Sequence, residues 1–322
     1  MKKQFINAIK AGDAIDDIFV LSEKTLSQKR DGKNFLNITV ADKSGSIKGV
    51  VWDNVDQIAS GITAGGFVNI KGKISEYKGM LQLGVKTMAA VSPDSVNPSD
   101  FIPATDLNID DMYIRLLKTT ASIETGYLKE LLEAFWDDED FVRKFKTAPA
   151  AKKMHHAYLG GLLEHTLSMT ILANKIANHY SEYYTGIDRD LLLTGAVLHD
   201  IGKTIEFDYK FNIDYSVQGR LLNHIVIGVE MLDEKIRKIK DFPEEQAILL
   251  KHMIVSHHGV REFGSPEPPK TIEAVLLNYI DEIDSKVNCI REFIASSDPN
   301  ETWTSYHKLL ERYFYIGGKL RD

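Results

Sequence analysis

The sequence predicts a multidomain protein, a small all-β barrel followed by an all-α domain. Three observations carry that expectation. The chain has 322 residues, about twice a typical domain length. Its hydrophobic period changes from strand-like to helical near residue 91. Charge changes sign at the same place, with 13 Lys/Arg against 9 Asp/Glu in residues 1–90 and 26 against 37 in residues 91–322. The composition, 43% hydrophobic and 26% charged, is globular and excludes a disordered or fibrous chain. A net charge of −7 excludes a polycation that coats nucleic acid indiscriminately. The single cysteine, Cys289, excludes an internal disulfide framework and a cysteine zinc cluster. No apolar run reaches the roughly 18–20 residues that span a bilayer. The first ten residues lack the apolar stretch of a secretory signal. The expectation is a cytoplasmic protein without membrane partners.

Within residues 1–90 the strands are short and bounded by turn residues. Ile15–Leu21 is a first strand, and Phe35–Val40 alternates with Leu36, Ile38 and Val40 on one face. Ile47–Trp52, Phe67–Tyr77 and Leu81–Val85 follow, with a helical piece near Val55–Ser60 after the third strand. Asp31-Gly32, Lys43-Ser44-Gly45, Gly65-Gly66 and Lys78-Gly79 supply the turns. Five such strands suit a barrel of the OB type, and a five-strand SH3-like barrel would give nearly the same pattern. Pro93, Pro98 and Pro103 mark residues 91–110 as a linker.

Residues 111–322 read as nearly all helix. Leu162–Tyr180, Leu191–His199, Arg220–Lys240, Glu244–Ser256 and Thr271–Phe293 repeat apolar residues every three or four positions. Nine of the ten histidines lie between residues 155 and 258. His165, His199-Asp200, His224 and His257-His258 sit at or near the ends of these apolar segments, and Asp281 lies in the last of them. Imidazole with carboxylate suits manganese, iron, zinc or nickel more than calcium.

Neighbouring residues on a helix point about 100° apart, so His199-Asp200 and His257-His258 cannot share simple helix faces. Either the cluster lies beside helix ends or it holds two ions with Asp200 between them. Seven side chains with one bridging make eight bonds. Two octahedral ions offer about twelve positions, which leaves room for solvent and phosphate oxygens.

The ordered set His165, His199-Asp200 and Asp281 resembles the HD-domain metal-dependent phosphohydrolases, and His-Asp-Ile-Gly-Lys matches their HDIG variant. His224 and His257-His258 resemble the two-metal subset. The stretch His155-His156-Ala-Tyr-Leu-Gly-Gly-Leu-Leu-Glu-His-Thr, joined to an OB-like barrel, is similar to the YhaM-type 3′→5′ exoribonucleases. That resemblance implies that His165, His199, Asp200 and Asp281 hold one metal, and that Asp200, His224, His257 and His258 hold the other. It favours Asp281 over Asp284, which becomes a supporting carboxylate. It further implies manganese (with iron, nickel, zinc and magnesium as other ions the donors admit), single-stranded RNA or DNA as substrate, and release of 5′-mononucleotides. Cyclic-dinucleotide phosphodiesterases of this kind carry Gly-Tyr-Pro after the His-His pair. Here the stretch is Gly-Val-Arg-Glu-Phe-Gly-Ser-Pro, which weakens that reading.

Catalysis should turn on Asp200 and Lys203. Lys203 follows Asp200 by three positions, where a cation would hold a phosphate or protonate a leaving oxygen. The alternative is a lysine compensating a helix C-terminus. His155 and His156 either line the substrate approach or serve structurally, and Glu164 is a candidate ligand-orienting group. For nucleic acid, Lys33, Phe35, Lys71 and Lys73 of the barrel and Arg220 of the helical domain are the candidates. Lys29, Arg30, Lys78, Phe67 and Tyr77 interleave with the barrel residues, and Trp52 is assigned to the core. The leading function is metal-dependent 3′→5′ hydrolysis of single-stranded RNA. The alternatives are an HD hydrolase of nucleotides or cyclic dinucleotides, and a nucleic-acid-binding factor with a structural metal. The Tyr313-Phe314-Tyr315 cluster hints at a homo-oligomeric interface.

Overall fold

The computed structural model describes residues 2–28, 32–77, 79–152, 154–210 and 212–317. Lys29, Arg30, Asp31 and Lys78, named above as basic or turn residues, lie outside the described residues. The chain divides into two compact units, Met1–Ala104 with Asp208–Asp214, and Thr105–Phe207 with Tyr215–Asp322.

The first unit is a closed five-strand barrel. Its strands are β1 (Ala14–Gln28), β2 (Asn34–Asp42), β3 (Gly45–Val51), β4 (Phe67–Tyr77) and β5 (Met80–Val91), with helix α1 (Val55–Gly61) between β3 and β4. The order around the barrel is β1-β2-β3-β5-β4, and only β3 and β5 run parallel. This is the OB-type barrel. Leu36, Ile38 and Val40 of β2 point inward, as their alternation requires, and join Phe19, Leu21, Ile70, Ile74 and Leu83 in the core. Val55 and Ile62, at the two ends of α1, pack into the same core.

β1 and β5 extend beyond the expected strands. A register shift between Leu21 and Glu23 bends β1, which then continues along β2 through polar residues with no apolar alternation to announce them. A second shift beside Lys71 and Gly72 does the same where β4 meets β5. The proline-rich stretch after β5 is also partly packed: Phe101 and Ile102 are buried, and Phe101 meets Phe67 edge-on at 4.7 Å between centroids.

The second unit is helical: α2 (Ile109–Thr120), α3 (Gly126–Trp136), α4 (Glu139–Thr147), α5 (Gly161–Ser181), α6 (Arg189–Leu198), α7 (Lys203–Glu206), α8 (Val217–Ile236), α9 (Glu244–Ser256) and α10 (Ile272–Ala295). The side chains of Asn108, Asp138, Asp188, Ser216 and Thr271 cap α2, α4, α6, α8 and α10 by accepting a backbone N–H from the first turn. Every residue from Leu191 to Leu198 is buried, so α6 is a core helix wrapped on all sides. α5 packs on α6, α2, α4 and α10, and these contacts bring its inner face to the middle of the unit. No described helix is long and apolar enough to cross a membrane.

Candidate metal centre

Helix ends explain how adjacent residues reach one point. His199 closes α6 and His257 closes α9. Beyond each end the backbone leaves the helix path, so Asp200 and His258 face the same interior as their neighbours. His165 lies within α5, His224 within α8, and Asp281 and Asp284 within α10.

Asp200 is the hub. Its Oδ2 lies 3.3 Å from His199 Nε2 and 3.7 Å from His165 Nε2. Its Oδ1 lies 3.6 Å from both His224 Nε2 and His257 Nε2. Asp281 Oδ1 approaches His165 Nε2 at 3.4 Å. Three groups have ligand atoms within 4.8 Å of one another: His165, His199 and Asp281; His224, His257 and His258; and His156, His165 and Asp284, which lies on the far side of the His165 ring. All seven side chains that the sequence singled out as ligands are therefore gathered, with one carboxylate oxygen of Asp200 turned to each of the first two groups.

The hydrogen bonds fix which nitrogen each ring presents. His199 Nδ1 bonds the Ala196 carbonyl at 3.0 Å and His257 Nδ1 bonds the Ile254 carbonyl at 2.7 Å, each three residues back in the helix that it ends. His165 Nδ1 bonds Asp284 Oδ2 at 2.8 Å, and His224 Nδ1 bonds Glu206 Oε1 at 3.1 Å. An imidazole that donates through Nδ1 carries its lone pair on Nε2, the atom that each of these rings turns to the centre.

The interior so formed suits cations. Asp200 Oδ1 and His257 Nε2 are buried with no hydrogen-bond partner among the described residues. His165 Nε2 lies 3.3 Å from His199 Nε2, and His224 Nε2 lies 3.2 Å from His258 Nε2. Two lone pairs at that separation repel unless a proton or a cation sits with them. Burial pushes His165 toward neutrality, but Asp281, Asp284 and Asp200 outweigh it and lift its pKa to about 9. Burial also opposes the charge of Asp200, yet Lys203 and His199 hold its carboxyl well below the usual range. Burial and the neighbouring His258 push His257 well down. Carboxylates among inward-facing imidazole nitrogens are the donor set of a divalent transition-metal site.

Lys203 opens α7 rather than compensating a helix C-terminus, and its buried Nζ donates to Asp200 Oδ2 at 2.6 Å. Asp284 accepts from His165, His156 Nε2 (3.1 Å) and Ser168 Oγ. His156, at φ 52, is further held by Asn288 and Tyr158. The ring of His155 stands 5.9 Å from that of His165, and burial with the charges of Lys203 and His165 lowers its pKa to about 3. Glu164 accepts from Thr105 Oγ1.

Glu206 and Asn223 were not among the candidates read from the sequence. A glutamate in Thr-Ile-Glu-Phe gives no sign that it is buried, and the break of α8 at Asn223 interrupts a period that otherwise runs on. Gly202 and Gly219 seat α7 against α8. A Cβ at Gly202 would lie 2.0 Å from His224 O, and one at Gly219 2.1 Å from Glu206 O.

The nucleic-acid candidates are dispersed. Phe35 of β2 stacks on Trp52, just after β3, with centroids 5.2 Å apart. Trp52 is 49% exposed, which corrects its assignment to the core. Lys33 is exposed at the start of β2. Lys71 and Lys73 are exposed on β4, which neighbours β1 and β5 but neither β2 nor β3. Lys71 also meets Asp16 at 3.0 Å, so its charge is already matched. Phe67 shares their parity but is covered by Phe101 and belongs to a core cluster, whereas Tyr77 is exposed. Arg220 is exposed in the first turn of α8, in the helical unit, ahead of the break at Asn223.

Comparison with known proteins agrees with this architecture. The family described as HD domain matches residues 162–286, and the family tRNA_anti-codon, described as OB-fold nucleic acid binding domain, matches residues 20–89. A third, TraI_2, described as putative helicase, matches residues 107–183. Among solved structures, the second OB-fold domain of replication protein A from Methanococcus maripaludis aligns at 15% identity, covering 29% of this chain and 96% of that one, with a TM-score of 0.24. The mitochondrial single-stranded DNA binding protein Rim1 from S. cerevisiae aligns at 14% identity over 26% of this chain and 98% of its own, with a TM-score of 0.22. The chain therefore joins an OB-fold domain of the nucleic-acid-binding kind to an HD domain, the module of divalent-metal-dependent phosphohydrolases.

Proposed function

We propose that the protein is a two-metal 3′→5′ exonuclease that removes 5′-mononucleotides from single-stranded RNA, with single-stranded DNA as a further substrate, and that manganese is the ion it uses. The observation that carries this reading is the convergence of five histidine Nε2 atoms and two carboxylates on one buried point, with Asp200 shared between the two groups. His165, His199, Asp200 and Asp281 would hold one divalent cation and Asp200, His224, His257 and His258 the other, and such ions would supply Lewis acidity toward a phosphodiester.

The chain's own groups do the rest. Asp200 holds both halves in register through its two oxygens. The ammonium of Lys203, buried against Asp200, places a fixed positive charge beside the phosphate and favours the transition state, in which more charge gathers on the equatorial oxygens. The buried, close-packed α6 and α5 exclude bulk water behind the cluster and so strengthen that charge interaction. On the barrel, the Phe35–Trp52 pair offers an aromatic face for a base, a contact that reads stacking rather than sequence. The catalytic unit is acidic, so retention of a polyanion falls to this barrel and to the cations.

The test uses a 5′-labelled single-stranded RNA of about twenty nucleotides, incubated with manganese and resolved by length. Wild-type protein should give a descending ladder that EDTA and Asp200→Ala both abolish. Intact RNA with wild-type protein and manganese refutes the reading. Turnover by Asp200→Ala refutes the mechanism. Cleavage of mononucleotides or cyclic dinucleotides alone would place the protein with the small-nucleotide hydrolases.

A further inference from the structure

His224 is held differently from the other histidines. α8 leaves helical geometry at Asn223, whose φ of 65° and ψ of 154° lie near a region that glycine alone occupies with ease. Past the break, His224 N–H donates to Glu206 Oε1 at 3.0 Å, and the same oxygen takes the ring Nδ1 at 3.1 Å. Asn223 Oδ1 accepts Ile225 N–H at 3.0 Å and so restarts the helix with an Asx cap. Glu206 is 3% exposed, and it cannot drift, because Gly219 lies against its own backbone and Gly202 against that of His224.

We propose that Glu206 is a positioning residue for the second half of the centre. It selects the Nδ1–H tautomer of His224 and turns Nε2 toward His258 and Asp200. His199, His257 and His165 find their Nδ1 partners without a break in their helices. His199 and His257 end helices and borrow carbonyls that would otherwise lack a partner, and His165 takes Asp284 from the helix that also carries Asp281. His224 opens the restarted half of α8, away from the C-terminal helix carbonyls that serve His199 and His257, and the carboxylate of Glu206 from α7 is the group that meets its Nδ1. The inference rests on the two-metal reading.

The experiment measures manganese stoichiometry and affinity on the full chain by titration calorimetry, with paramagnetic resonance to report coupling between ions. Wild-type protein should take two ions. Glu206→Ala should keep the first within about threefold and bind the second 10–100-fold more weakly, the usual range for losing such a support. Glu206→Gln, whose amide oxygen still accepts both bonds, should recover most of the loss. Two ions with unchanged constants in Glu206→Ala overturn the proposal while leaving the two-metal reading intact. Equal weakening of both ions also overturns it, since that reports general loosening. No manganese uptake by wild-type protein overturns both. If Glu206→Ala does not fold, the tautomer decides: nitrogen-detected resonance of metal-free, histidine-labelled wild type should show His224 protonated on Nδ1, and protonation on Nε2 overturns the proposal.

Discussion

Metal uptake should be coupled to one proton, and His165 carries it. In the metal-free centre its pKa stands at about 9, because Asp281, Asp284 and Asp200 outweigh burial. At pH 7 the ring is therefore protonated by roughly 100 to 1. Nδ1 stays engaged with Asp284, so the proton that must leave is the one on Nε2. Two pH units correspond to about 2.7 kcal/mol, so the apparent affinity of the first ion should rise about tenfold per pH unit from pH 7 and level off above 9. Calorimetry of manganese binding at pH 7, in buffers of low and high ionisation enthalpy, should report close to one proton released. The same shift governs stability. A pKa raised above the unfolded value of about 6.5 stabilises the fold fully below that pH, and the contribution is lost as pH climbs through 9. Metal-free protein should accordingly melt lower at pH 9 than at pH 6.5, and saturating manganese should flatten the trend. Proton release near zero, with an affinity that does not move between pH 7 and 8.5, would refute this account of the centre.

Phe35→Ala and Trp52→Ala should each weaken single-stranded RNA binding by about 1–3 kcal/mol in an anisotropy titration, and wild-type affinity in both would move the stacking platform elsewhere. Lys71→Ala should change the same Kd by less than about threefold, because Asp16 already matches its charge. Lys203→Met should lower kcat about 10²–10³-fold with KM little changed, and an unaltered kcat would exclude its charge from the transition state. Gly202→Ala should lose several kcal/mol of stability or fail to fold, since its Cβ meets His224 O at 2.0 Å; a wild-type melting curve would contradict the close approach of α7 and α8.

Much of the barrel was legible because its signal is local. The alternation of Leu36, Ile38 and Val40 and the intact Phe67–Tyr77 run report burial on one face residue by residue. The ends of β1 and β5 were not, because past each register shift the strand runs on without a clear apolar alternation and its pairing comes from the partner strand. Trp52 misled for a related reason. It follows the apolar Ile47–Val51 alternation, but beyond the last ladder pair the backbone turns and the ring lies outward on Phe35. Phe67 shares the parity of the exposed Lys71 and Lys73 yet is buried, packed with Val20 and with Phe101 from a stretch that reads as linker.

At the metal centre the same division separates ligands from their supports. The doublets His199-Asp200 and His257-His258 are visible in sequence because a helix end lets two neighbours turn to one point. The end also supplies the carbonyl that orients the first ring, so the whole device is written in five consecutive residues. His165 stands inside α5 and His224 opens the restarted half of α8, and their Nδ1 partners lie 119 and 18 residues away. Nothing near either histidine identifies Asp284 or Glu206 as the partner. A ligand at a helix end carries its support with it. A ring away from a helix C-terminus takes one through the tertiary fold, and at His224 that contact comes with a break in α8, two closely packed glycines and a buried acid on another element. In the two-metal reading, the second half of the centre therefore depends on Gly202, Gly219, Asn223 and Glu206, positions that would hold no ion.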